Sequence, residues 1–125
     1  MRVVIASDHG GFQLKEELKA FIAELGHEVA DYGTHTQDPV DYPDLAFLVA
    51  EAVAAGAADR GVMIDGIGAA SAIVANKVPG IRAASCSDTF TAAMSRAHND
   101  ANVLTLGARV IGSGLAREIV KVWLA

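Results

Sequence analysis

Residues 61–77 read Gly-Val-Met-Ile-Asp-Gly-Ile-Gly-Ala-Ala-Ser-Ala-Ile-Val-Ala-Asn-Lys. A short apolar run breaks at two glycines and resumes with helical spacing, which predicts a strand, a tight turn and a helix. In an open parallel sheet, ligands bind outside the carboxyl ends of the strands, where helix N–H groups point outward. Asp65 stands at that exit. Gly66 and Gly68 remove the side chains that would keep a ligand from the backbone amides, so the stretch is expected to floor a small-molecule site.

Working outward, Arg2–Ala6 is an unbroken apolar and β-branched run after its arginine, as in a parallel strand covered on both faces. It empties into the polar loop Ser7-Asp8-His9-Gly10-Gly11. From Phe12 to Leu25 the apolar residues fall at steps of two to four, giving one helical face that Gly26 stops. A second strand is expected at Glu28–Tyr32 and a polar loop over residues 33–41. Tyr42-Pro43-Asp44 then opens a helix to about Ala55, its proline in the first turn. Further on, a strand is predicted at Ile81–Cys86, a helix capped by Ser87 or Asp88 to about Ala97, a strand at Val103–Leu106 and a helix over Leu115–Leu124. Five strands alternating with five helices predict an α/β fold with a right-handed, doubly wound parallel sheet.

At 125 residues the chain suits one domain, 1–125, which buries roughly two thirds of its unfolded surface. The lone Cys86 excludes an internal disulfide, and the start MRVVIASDHGG is too quickly polar for a signal peptide. No apolar run approaches the roughly 20 residues that span a bilayer. A cytoplasmic protein with no membrane partner is expected. The net charge of −5, with ten scattered Lys and Arg, argues against nucleic acid, whose phosphates need clustered cations.

Taken singly, the polar residues have plain structural alternatives. Asp8 and Asp65 both suit helix caps, His98-Asn99-Asp100 suits a helix stop, and Cys86 at a strand end suits the core. His27 and His35 are expected at the surface, His27 without polar company. A dinucleotide fingerprint at Gly66–Ser71 follows the third strand instead of the first and ends in Ser. A phospho-accepting receiver domain would need paired acids in the first loop and a lysine after strand five, where this chain has Asp8-His9 and Arg109.

Several blocks together carry a resemblance: Ser-Asp-His-Gly-Gly at 7–11, Asp-Tyr-Pro at 41–43, Ala-Asn-Lys-Val-Pro-Gly-Ile-Arg-Ala at 75–83, Ser-Arg-Ala-His-Asn-Asp-Ala-Asn-Val-Leu at 95–104 and Leu-Gly-Ala-Arg-Val-Ile-Gly at 106–112. In this order they closely resemble the ribose-5-phosphate isomerase B family, which includes the galactose-6-phosphate isomerase subunits. The resemblance implies a Rossmann-like three-layer α/β/α sandwich with a five-stranded parallel sheet. It implies a homodimer or homotetramer with each active site shared between subunits, no metal and no cofactor. The implied reaction is aldose–ketose isomerisation of a small sugar phosphate through an enediolate. By position, His98 is similar to the ring-opening residue, and Asp8 and Tyr42 look like its partners around the sugar hydroxyls. Asn99 would also touch the sugar. His9 and Arg109 look like ligands of the phosphate or distal end, and the amides of Gly66, Ile67, Gly68, Ala69 and Ala70 would form the anion hole.

The sequence departs from that pattern at the base. Asp65 replaces the usual cysteine, Ile67 the neighbouring Thr or Ser, and Ser71 stands where some members carry a glutamate. The family pattern also continues into a helical tail with phosphate-gripping arginines, which residues 1–125 do not contain. A partly desolvated Asp65 with a raised pKa would serve as the base for carbon-acid proton transfer. Alternatively, Asp65 resembles the residue of the cysteine-lacking galactose-6-phosphate isomerase subunit, whose homologous cysteine-bearing partner supplies the thiol. A sugar-binding relative without isomerase activity, and an altered or unphosphorylated sugar substrate, stay open beside these.

Overall fold

A computed structural model describes residues 1–39 and 41–125; Val40, in the expected loop, lies outside the described residues. Five parallel strands, β1 (Arg2–Ser7), β2 (Glu28–Asp31), β3 (Arg60–Asp65), β4 (Ala83–Ser85) and β5 (Val103–Gly107), form one sheet in the order β2-β1-β3-β5-β4. The helices are α1 (Phe12–Glu24), α2 (Tyr42–Ala54), α3 (Ala69–Ala75), α4 (Thr89–Ala97) and α5 (Ser113–Leu124), with a 3-10 turn at His9–Gly11. Side chains of α1, α4 and α5 pack with Val3, Ile5, Val62, Ile64, Leu104 and Leu106 on one face. Those of α2 and α3 pack with Val4, Ala6, Met63 and Val103 on the other. The expected three-layer sandwich is what forms.

Why each helix seats as it does is visible in its buried residues. In α1, Leu14, Leu18 and Ile22 recur every four residues, and in α5 Ala116, Ile119, Val120, Trp123 and Leu124 make one stripe. Each large apolar side chain so buried contributes about 1.5–3 kcal/mol. Packing also explains Gly61: a Cβ there would meet Val49 Cγ1 at 2.5 Å and Val53 Cγ2 at 3.2 Å, so α2 rests directly on the β3 backbone.

Several boundaries differ from expectation. The strand expected at Ile81–Cys86 is only Ala83–Ser85, because Ile81 N–H turns back to the Val78 carbonyl and Arg82 N–H is taken by the Asn102 side chain. Strand β2 ends at Asp31, whose side chain instead receives the Gly33 N–H. Helix α5 begins at Ser113, two residues early. His27 also has polar company, since its Nδ1 lies 3.2 Å from the chain's amino terminus. Cys86 is buried in the core as expected.

Candidate active site

The strand order turns back at β1 and β3, and the loops leaving these two strands open on the crevice between them. Asp8 N–H donates to the Ile64 carbonyl at 3.1 Å, which joins the β1 exit to the end of β3. Asp8 is half-buried and caps the 3-10 turn by accepting the Gly11 N–H at 3.0 Å. His9 is exposed beside it. Gly11 allows that close approach: a Cβ would lie 2.7 Å from the Ile64 carbonyl oxygen.

Asp65 ends β3, buried to 5% exposure. Burial pushes its carboxyl above the ordinary range. The Ser71 hydroxyl and the Gly68 N–H lie close enough to draw it part of the way back, while the Asp8 carboxylate adds a further upward push. Asp65 Oδ1 and Ser71 Oγ, both buried, find no hydrogen-bond partner among the described residues. The loop beyond them is held from below. Gly68 has φ of 92°, and its carbonyl accepts the buried Thr105 hydroxyl at 2.7 Å. Gly107 lets β5 pass against the loop, since a Cβ there would stand 2.6 Å from Ile67 C and 2.8 Å from Ile67 Cα. Ala69 and Ala70 form the first turn of α3, whose N–H groups have no partner within the helix. Ile67 is 67% exposed at the rim.

Arg109 joins the same edge: its N–H donates to the Gly66 carbonyl at 3.0 Å, and its Cδ would lie 3.5 Å from a Cβ on Gly66. Tyr42 starts α2, half-buried against the core beneath that helix. His98 and Asn99 are elsewhere. His98 caps the carboxyl end of α4, and both residues are exposed on the chain leading into β5. Asp65 pairs in register with Gly107, and Gly61 with Val103. Four residues of strand, about 13 Å, therefore separate the level of Asp65 from the start of β5, and His98 lies before that start. Asp8, His9, Asp65, Gly66–Ala70 and Arg109 share one edge of the sheet. His98 and Asn99 occupy the opposite one.

A buried carboxyl with a raised pKa, beside N–H donors and an exposed guanidinium, suits proton transfer on a polar, anionic substrate. The family model described as Ribose/Galactose Isomerase matches residues 3–125. The chain belongs to the ribose/galactose isomerase family. Ribose-5-phosphate isomerase B of Escherichia coli is 48% identical over 123 residues, covering 98% of this chain and 83% of that protein. The solved ribose-5-phosphate isomerase B of Clostridium thermocellum superposes with a TM-score of 0.98 at 55% identity, covering 99% of this chain and 84% of that one. The type B enzyme of Trypanosoma brucei gives 0.96 at 47% identity over 98% of this chain and 84% of its own. Among the described residues of this family member, no helix is long and apolar enough to cross a membrane.

Thr105 and Gly107 support this loop from β5, and the sequence marks the two unevenly. Gly107 had a signal: a glycine directly after an apolar strand marks a close backbone approach. Thr105, a lone hydroxyl inside such a strand, had a weaker one.

Proposed function

We propose that this family member is an aldose–ketose isomerase of the ribose-5-phosphate isomerase B type. In this reading Asp65 moves a proton between C1 and C2 of a small sugar phosphate. The observation that carries it is the Asp65 carboxyl itself, buried at the β3 exit with an unpaired oxygen and a pKa raised by burial. A carboxylate so placed is a stronger base than one in water. The amides of Gly66–Ala70 stabilise the enediolate oxygen as its charge develops. Arg109 and His9 hold the anionic end of the sugar, and Asp8 and Tyr42 contact its hydroxyls.

His98 opens the sugar ring, with Asn99 beside it, in the site of a neighbouring copy. The separation of His98 from Asp65 within one chain supports a shared site, because an imidazole must come within about 3 Å of the atom it protonates. A homodimer is the smallest assembly that provides this.

The test is solvent exchange of the substrate C1 or C2 proton over a panel of four- to six-carbon aldose and ketose phosphates. Wild type exchanges at least one, and Asp65→Asn does not. Exchange that appears only when a homologous cysteine-bearing subunit is added would transfer the base to that partner.

A further inference from the structure

The turn that carries His98 and Asn99 is flanked by charge on both sides. Asp100 has φ of 50°, the one non-glycine residue with positive φ among the described residues. A residue with a Cβ holds that conformation where its surroundings fix it. Here the backbone closes the turn, Asp100 N–H donating to the Arg96 carbonyl at 3.3 Å and Ala101 N–H to the Ser95 carbonyl at 2.9 Å, and two guanidiniums buttress it. Arg96 Nη1 donates to Asp100 Oδ1 at 3.0 Å and to the Ala101 carbonyl at 2.5 Å. Arg82, just before β4, donates from Nη2 to Asp100 Oδ2 at 3.4 Å and from Nε to the Asp100 carbonyl at 2.8 Å. Arg82 is itself tied down, since its N–H donates to Asn102 Oδ1 at 2.8 Å and Asn102 Nδ2 donates to the Gly80 carbonyl at 3.0 Å.

This network does little for stability. The Asp100 side chain is 74% exposed, and ion pairs in that setting add little to the folded state. What it does fix is the path of residues 97–99, all exposed, as they leave α4. Arg96 and Asp100, four residues apart, bracket them. A charged clamp around residues that face away from their own chain makes sense where those residues act on something outside it.

We propose that Arg82, Arg96 and Asp100 are positioning residues that aim His98 and Asn99 into the active site of a neighbouring subunit. The proposal rests on the reading of His98 as the ring-opening group, and its test keeps the two apart. Ribose 5-phosphate arrives as a closed furanose and needs opening. Ribulose 5-phosphate, with its 5-hydroxyl esterified, has no hydroxyl placed to close a five-membered ring on its C2 carbonyl. Exchange of its C1 protons therefore needs the base but not the ring opener.

Asp100→Gly accepts the positive φ but lacks the carboxylate. It lowers kcat on ribose 5-phosphate about ten- to a hundredfold, the scale of a misplacement near 1 Å, and leaves C1 exchange of ribulose 5-phosphate near the wild-type rate. Asp100→Asn, which keeps an acceptor without charge, falls between. Wild-type turnover of ribose 5-phosphate by Asp100→Gly overturns the proposal, because the turn alone would then suffice; equal loss of both activities overturns it too. His98→Asn is the control. If it lacks the same split the His98 reading fails, whereas a split in His98→Asn with none in Asp100→Gly sinks only the clamp. Amide hydrogen exchange gives a readout that needs no turnover. Residues 97–100 exchange faster in Asp100→Gly while the core amides do not, and unchanged exchange at 97–100 overturns the proposal.

Discussion

The hydroxyl of Thr105, in the middle of β5, donates to the carbonyl of Gly68, in the loop beyond Asp65, at 2.7 Å with both groups buried. One strand thereby props up the amide floor that follows its neighbour.

Thr105→Val keeps the shape and removes the donor, leaving the Gly68 carbonyl buried and unpaired at a cost of about 1–3 kcal/mol. Denaturant titration reads that loss, and kcat/KM falls further than stability alone accounts for as the loop shifts. Thr105→Ser restores both. Gly107→Ala is harsher, since its Cβ collides with the Ile67 backbone, whereas Gly112→Ala meets nothing within 4 Å and stays within about 1 kcal/mol of wild type.

With Asp65 as the proposed base, its carboxyl has opposite effects on activity and stability. Its carboxyl pKa is raised by burial, so the base form is lost as pH falls through a value above the ordinary carboxylate range, and the acid limb of the kcat/KM profile lies there. A folded-state pKa above the unfolded one favours folding below the unfolded pKa and opposes it once pH rises through the folded value. Asp65→Asn therefore abolishes proton exchange and raises the melting temperature at pH 7. At pH 3, where the acid is protonated in both states, the gain shrinks.

Lys15 is fully buried, and its ammonium donates to both Asp31 oxygens and to the Thr34 carbonyl, each at 2.7 Å. Burial raises the Asp31 carboxyl, but Lys15, Lys19 and the Gly33 N–H outweigh it and bring the pKa down to about 2. The stability this contributes, about 2 kcal/mol, is present above the unfolded pKa near 4 and is lost as pH falls toward 2. Acid unfolding followed by circular dichroism shows that window in wild type. Asp31→Ala leaves the buried Lys15 with only the exposed Glu16 carboxylate, 3.4 Å away, as a charged partner and costs about 3 kcal/mol at pH 7.

Much of this was legible in the chain. The apolar run at residues 61–64, cut by Asp65 and two glycines, announces a parallel strand with an open exit, and the buried stripes of α1 and α5 follow their helical spacing. Lys15 escaped notice because it falls one step from Leu14 on an amphipathic helix, where a lysine reads as solvated until Asp31 is seen across from it. Asp100 reads as an ordinary helix stop, which its backbone bonds make it, but the two arginines that buttress it, one 18 residues away in sequence, are visible only in the fold. The short β4 was overestimated for a related reason: Arg82 bonds a side chain in place of a neighbouring strand.

The central claim is that Asp65 and His98 act on one substrate from two different chains. Asp65→Asn and His98→Asn proteins, each inactive alone on ribose 5-phosphate, are mixed, dissociated and reassembled, and isomerisation of ribose 5-phosphate is assayed. In a mixed dimer one of the two sites holds both intact residues, so random reassembly restores about one quarter of wild-type activity. A mixture no more active than its parents, with mixed dimers confirmed by mass, would contradict the shared site.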